Sequence, residues 1–186
     1  MMQQALSAVQ LHSILKTFST VALFLGNGPR RGYASVPVAI DSLAPHMDAI
    51  LAQDRTMLAV FGGDTAVEGR PDLGLVMKGV RERWGSKGLR LLAVQGWDEV
   101  DPHVDFVYRH KEEICGSYGG FDATTGRPLG ATSVYMGQEF LRAAPGGLKV
   151  ITVGTGGRVG SAEMARAADL GLSVLRIPAS DASGVD

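Results

Sequence analysis

The chain has 186 residues, of which 45% are hydrophobic and 20% are charged. This length and composition suit one soluble globular domain with a sizeable core. Its 18 basic and 19 acidic residues give a formal net charge of -1, so no overall field draws the protein toward nucleic acid or an anionic membrane. No apolar run reaches the roughly 20 residues that span a bilayer. We therefore expect neither a membrane nor a nucleic-acid partner.

The cysteine and histidine content argues against disulfides and metal clusters. Cys115 is the only cysteine, which excludes an intramolecular disulfide and fits a reducing, cytoplasmic location. The four histidines are scattered, and no pair has the spacing of metal ligands. The sequence therefore predicts no metal site and no cofactor.

The first 20 residues lack acidic side chains, and their apolar residues recur at helical spacing between Leu6 and Phe18. We interpret this segment as an N-terminal helix. A transit peptide is the alternative, although such peptides are usually rich in arginine and this segment has none. Residues 21–179 would form the domain, and the small, polar residues 180–186 a frayed tail.

Short apolar strands alternate with glycine turns and amphipathic helices along the domain. The strands are predicted at Val21–Leu25, Met57–Phe61, Leu89–Val94, His103–Tyr108, Lys149–Val153 and Ser173–Ile177. The helices are predicted at Pro37–Leu51, Pro71–Trp84, Ala131–Ala144 and from about Ser161 to Leu170. Strands that are apolar throughout are typical of a parallel sheet buried on both faces. The pattern predicts a single Rossmann-like α/β domain, doubly wound, with a mostly parallel sheet and helices on both faces.

Glycines follow several of these strands, where ligands bind in parallel sheets. They are Gly26 and Gly28, Gly62 and Gly63, and Gly156 and Gly157. Glycine lets the backbone approach a ligand closely, and a helix N-terminus that follows suits a phosphate. These loops predict a nucleotide or another phosphate-bearing small molecule as ligand, although turns with a purely structural role remain the alternative.

The segment from Val153 to Glu163 carries most of the candidate ligand-binding residues: Thr155, Gly156, Gly157, Arg158, Gly160 and Ser161. The Arg158 guanidinium could form paired hydrogen bonds with a phosphate. Ser161 is predicted to begin a helix with Glu163 in its first turn. There Glu163 would either offset the helix dipole or act on the substrate.

This segment, with the helix that ends at Leu170-Gly171 and the strand up to Pro178, resembles the C-terminal half of SLOG-superfamily domains. That superfamily includes the LOG-type phosphoribohydrolases and the DNA-processing protein DprA. The resemblance covers roughly residues 57–179, with Gly62-Gly63-Asp64 compatible. It implies that Glu163 is the catalytic carboxylate, because Glu163 is the only acid that matches the family motif by position.

The chain departs from the LOG motif at several positions. Threonine rather than proline precedes Gly156, Arg158-Val159 replaces a single spacer, Ser161 replaces threonine, and Ala162-Glu163 replaces a glutamate pair. Ligand binding therefore carries over from the family better than catalysis does.

A polar loop over residues 122–130 holds Asp122 and Arg127 before the helix predicted at Ala131–Ala144. This loop could close over the ligand, with Arg127 in contact and Asp122 or Asp64 assisting Glu163, or it could be a solvated connection. The apolar side chains of that helix, Val134, Met136, Phe140 and Leu141, favour a homodimer.

These features leave several functional hypotheses open. The leading one is a hydrolase that cleaves the N-glycosidic bond of nucleoside monophosphates, a reaction that needs a carboxylate near the sugar. The second is a nucleotide sensor or carrier without chemistry, and the third is a scaffold whose glycines are only turns. A nicotinamide dehydrogenase is disfavoured, because Arg31 stands where a dinucleotide fingerprint has its third glycine.

Overall fold

The computed structural model describes residues 5–27, 32–52, 55–62, 66–69, 71–95, 99–109, 148–154, 157–169 and 171–178. We number the elements within these ranges in chain order. The helices are α1 (Ala8–Leu15), α2 (Val36–Leu51), α3 (Leu73–Trp84) and α4 (Gly157–Asp169), and a short 3-10 turn follows α3 at Gly85–Lys87. The strands are β1 (Thr20–Leu25), β2 (Met57–Phe61), β3 (Leu89–Gln95), β4 (Phe106–Arg109), β5 (Leu148–Val153) and β6 (Val174–Ile177).

The described strands form one six-stranded sheet in the order β4-β3-β2-β1-β5-β6, and every neighbouring pair is parallel. Strands β1 to β4 follow one another toward one edge of the sheet, and the next strand, β5, lies on the other side of β1. This order confirms the predicted Rossmann-like α/β class.

Both faces of the sheet are covered, and alternate residues of β1 point to opposite faces. Ala22 and Phe24 pack with the buried side chains of α2 and α3. Leu23, on the other face, packs with Leu15 of α1 and Ala167 of α4. Burial on both faces explains why the central strands β1 and β2 are almost entirely apolar rather than alternating with polar residues.

The N-terminal segment contains a helix that packs on this sheet. Ser7 caps α1 by accepting a hydrogen bond from the Gln10 backbone N–H, and the Gln10 side chain bonds back to the Ser7 N–H. Just before it, the Leu6 N–H donates to the Val107 carbonyl at the edge of β4. In the described part of the chain no helix is long and apolar enough to cross a membrane.

The strand predicted at His103–Tyr108 begins later, at Phe106. Residues 101–104 instead form a turn, in which the Val104 N–H donates to the Asp101 carbonyl. Asp105 then accepts a hydrogen bond from the Leu91 N–H through its side chain. A carboxylate therefore occupies the place of a backbone carbonyl, and regular pairing with β3 starts one residue later.

The last helix begins at Gly157, one turn earlier than the predicted start near Ser161. Ser161 and Glu163 consequently lie in its second turn, and the prediction that Glu163 is in the first turn was wrong. Glycine is unfavourable inside helices, which is why Gly157 and Gly160 suggested a loop. The helix and loop predicted between residues 117 and 144 lie outside the described residues.

Candidate functional site at the carboxyl edge of the sheet

The order of the strands reverses at β1, which lies between β2 and β5. The loop after β1 leads away to α2, and the loop after β5 leads to α4 on the opposite face. In open parallel sheets a crevice forms where such loops leave in opposite directions, and ligands bind there. Gly26-Asn27 follows β1, and Gly154 follows β5, so the structure brings these two predicted glycine segments to one edge.

A tyrosine that the sequence analysis did not single out joins the two strand ends. The Tyr33 hydroxyl accepts a hydrogen bond from the Asn27 N–H at 2.9 Å and donates one to the Val153 carbonyl at 3.0 Å. Tyr33 is only 4% exposed. No motif marks this residue, because a tyrosine in a loop after a glycine turn has no characteristic pattern.

The same tyrosine explains the glycine at position 26. A Cβ at Gly26 would overlap the Tyr33 hydroxyl and would come within 2.8 Å of Leu73 Cδ1. No side chain fits there unless its neighbours move. Gly26 was predicted to contact a ligand, but its close packing against Tyr33 is a sufficient reason for glycine.

The start of α3 is attached to the same loop. The Leu73 N–H donates to the Asn27 carbonyl at 2.9 Å, and the Tyr33 N–H donates to the Pro71 carbonyl. Asn27 Nδ2 donates to the Gly32 carbonyl at 2.9 Å. The loops after β1 and before α3, together with the end of β5, therefore form one hydrogen-bonded unit around Asn27 and Tyr33.

The other glycines at this edge have different surroundings. Gly154 adopts φ 75°, a left-handed conformation that favours glycine. Its N–H donates to the Ile177 carbonyl at 2.9 Å. Gly62 follows β2, and a Cβ added there would meet no described atom within 4 Å. Steric crowding by described atoms therefore does not account for glycine at position 62.

The N-terminus of α4 lies directly after the β5 end. Gly157, Arg158 and Gly160 fall in its first turn, where backbone N–H groups have no partner within the helix. Ser161 is exposed, whereas Glu163 is 6% exposed. Glu163 lies four residues before the buried Ala167, and residues at this spacing share a helix face. Glu163 therefore belongs to the sheet-facing side of the helix.

The remaining predicted site residues lie outside the described residues: Gly28, Gly63, Asp64, Asp122, Arg127, Thr155 and Gly156. Their predicted roles stay predictions. The structure therefore brings together the neighbourhoods of Gly26, Gly154 and Gly157, and it places Gly62 at the end of the adjacent strand β2.

A half-buried histidine, His103, lies near the segment that follows the β2 loop. Asp101 Oδ2 accepts a hydrogen bond from the Ala66 N–H at 2.6 Å, and His103 Nε2 is 4.0 Å from the same oxygen. That nitrogen is buried without a hydrogen-bond partner within the described ranges. Burial lowers the pKa of His103 below its ordinary value of 6.5, and the Asp101 charge opposes this shift.

The Arg81–Asp105 ion pair joins α3 to the segment that precedes β4. Asp105 accepts two hydrogen bonds from the Arg81 guanidinium, each at 2.8 Å, beside the start of β4. Among the residues that the structure describes, no group of three or more His, Cys, Asp or Glu side chains could hold a metal ion.

The fold defines an α/β protein of the Rossmann-like class with a reversal of strand order at β1. Comparison of the chain with protein-family models, with curated proteins and with solved structures gave no match.

Proposed function

We propose that the protein binds a phosphate-bearing nucleotide at the carboxyl edge of the sheet, between the ends of β1 and β5. The observation that carries this proposal is the reversal of strand order at β1, with glycine segments after both flanking strands. The first turn of α4 would supply backbone N–H groups and a partial positive charge for the phosphate. Arg158, in that turn, would add a guanidinium.

Binding can be tested by calorimetry with adenosine monophosphate and with inorganic phosphate as probes. Gly157→Val puts a β-branched side chain at the start of α4 and should weaken binding by about tenfold or more, since it blocks close approach of the phosphate. Gly171→Asn is the matched control at the other end of the same helix, where φ is 73° and asparagine is tolerated. Equal affinities in both variants and the wild type would place the ligand elsewhere.

Catalysis is the second part of the proposal: hydrolysis of the N-glycosidic bond of a nucleoside monophosphate. Water would add to the sugar C1′ while the bond from C1′ to the base breaks, and the base would leave with a proton. Glu163 is the proposed carboxylate. Gly157 and Glu163 are six residues apart, which is about 9 Å along a helix axis, and helical side chains tilt back toward the N-terminus.

The burial of Glu163 is equally compatible with the alternative, a nucleotide sensor without chemistry. A carboxylate on the sheet-facing side of α4 is suited to a structural role as well as to catalysis. Glu163→Gln should lower turnover about a hundredfold if Glu163 is catalytic and should leave affinity nearly unchanged. Asp169→Asn, an exposed change at the end of α4, is the control. If the wild type binds the nucleotide but releases no base, the sensor function replaces the hydrolase.

Two further proposals, on location and on oligomeric state, come from the sequence alone. The single cysteine fits a cytoplasmic location, and the apolar side chains predicted on the helix at Ala131–Ala144 favour a homodimer. Light scattering at micromolar concentration should give the mass of a dimer, and a monomer mass would contradict that proposal.

A further inference from the structure

The connection between β1 and β5 continues past the end of their ladder. The last paired residues of the two strands are Leu25 and Thr152. Beyond them, the Tyr33 hydroxyl bridges the Asn27 N–H and the Val153 carbonyl. A hydroxyl can donate and accept at once. The Tyr33 side chain therefore connects the ends of β1 and β5 just before the chain continues from them to opposite faces of the sheet.

We propose that Tyr33 is a positioning residue, which sets the spacing of the loops after β1 and β5 and thereby the affinity of the ligand site between them. This inference rests on the proposed function, because a ligand at the reversal point is what the spacing would serve. Binding sites lose affinity when their supporting groups are misplaced by a fraction of an ångström.

The surroundings of Tyr33 are built around its hydroxyl. Gly26 leaves the space that the hydroxyl fills, and the Tyr33 N–H is fixed by the Pro71 carbonyl. The hydroxyl itself is buried and is held by the Asn27 N–H and the Val153 carbonyl. A ring that served packing alone would not need glycine beside its oxygen.

The test uses Tyr33→Phe in the full chain, with Tyr108→Phe on the edge strand β4 as the control. Hydrogen exchange of the Asn27 amide, measured by NMR, should accelerate in Tyr33→Phe because this N–H loses its hydroxyl partner. Affinity for adenosine monophosphate should fall about five- to tenfold, the range that one net hydrogen bond corresponds to. Tyr108→Phe should change neither quantity.

The outcomes separate this inference from the proposed function. If the Asn27 amide exchanges at the wild-type rate, Tyr33 does not hold the loops and the inference is overturned. Faster exchange with unchanged affinity overturns the positioning role while leaving nucleotide binding intact. If the wild type binds neither adenosine monophosphate nor inorganic phosphate, the proposed function fails and the positioning role fails with it.

A titration of the wild type keeps the test independent of whether Tyr33→Phe folds. Adenosine monophosphate should shift the amide resonances of both Asn27 and Gly154, because the Tyr33 hydroxyl transmits a displacement of one loop to the other. Shifts confined to Gly154 and α4, with Asn27 unaffected, would contradict the coupling.

Discussion

Gly26 and Gly62 look alike in the sequence, since each directly follows a buried apolar strand, yet they occupy very different surroundings. A Cβ at Gly26 would overlap the Tyr33 hydroxyl, whereas a Cβ at Gly62 would meet no described atom within 4 Å. Glycine at position 26 is thus required by a side chain seven residues further along the chain. The same sequence signal can therefore come from packing, and a glycine after a strand does not by itself indicate a ligand.

Gly154 shows a further reason why glycine can follow a strand. Its φ of 75° is a backbone requirement, independent of any neighbouring side chain or ligand. At Gly62, by contrast, neither a positive φ nor a close described contact accounts for glycine.

The largest effect is expected from Gly26→Ala. The added methyl should lower the free energy of unfolding by about 2–3 kcal/mol, because it forces the Tyr33 hydroxyl or Leu73 to move in a packed region. Gly62→Ala is the matched control and should leave stability unchanged or raise it by up to about 1 kcal/mol. Chemical denaturation of both variants gives the comparison. Equal losses at the two positions would show that the surroundings of these glycines do not differ as described.

Gly154→Ala should destabilise the protein by about 1–2 kcal/mol, the cost of a left-handed conformation for an ordinary residue. Gly154→Asn should cost less, because asparagine tolerates this conformation. Thermal and chemical denaturation of the pair separate backbone strain from steric crowding. A larger loss for asparagine than for alanine would mean that space, rather than φ, limits position 154.

A double-mutant cycle tests whether the Tyr33 hydroxyl is the group that requires glycine at position 26. Tyr33→Phe removes the oxygen that the new methyl would overlap, so Gly26→Ala should cost less in that background than in the wild type. We expect a coupling free energy of about 1 kcal/mol, within the range for residues in contact. Additive losses would mean that Leu73 or the backbone, and not the hydroxyl, excludes a side chain at position 26.

The smallest effect is expected from His103, whose pKa is lowered by burial. The folded state then binds this proton less readily than the unfolded state, so the contribution of His103 to stability is complete above pH 6.5 and declines as pH falls toward its folded pKa. The charges that influence it are those of Asp101, Lys78, Glu82 and Asp105.

Denaturation at a series of pH values tests whether the contribution of His103 to stability declines as pH falls. His103→Gln should flatten the loss of stability below pH 6.5, because the replaced side chain no longer takes up a proton on unfolding. If the slope of the His103→Gln protein is equal to or steeper than that of the wild type, burial does not suppress protonation of His103.

The strands were the most predictable part of the molecule. Met57–Phe61 was predicted with the observed bounds, and Leu89–Val94 is one residue short of β3. Both strands are buried on both faces, so nearly all their consecutive residues are apolar, and such a run can be recognised in the sequence. The start of α4 was misjudged because Gly157 and Gly160 have low helix propensity, and the surrounding structure outweighs that preference.

The candidate site was predictable only in its location. Parallel strands bring their carboxyl ends to one edge, so Gly26 and Gly154 could be expected to lie near each other from the order of elements. The role of Tyr33 could not be predicted, because it depends on contacts with Asn27 and with Val153, which is 120 residues away. Nor could the burial of Glu163, which depends on which face of α4 packs on the sheet.

The sequence by itself determined the Rossmann-like class, because the alternation of doubly buried strands with amphipathic helices leaves few other ways to bury the apolar residues. It also determined that glycines would follow the strands at one edge. Only the tertiary structure decided the strand order around β1 and the physical reason for each glycine. Strand order and steric fit depend on contacts between residues far apart in the chain, and local sequence preferences carry no information about such contacts.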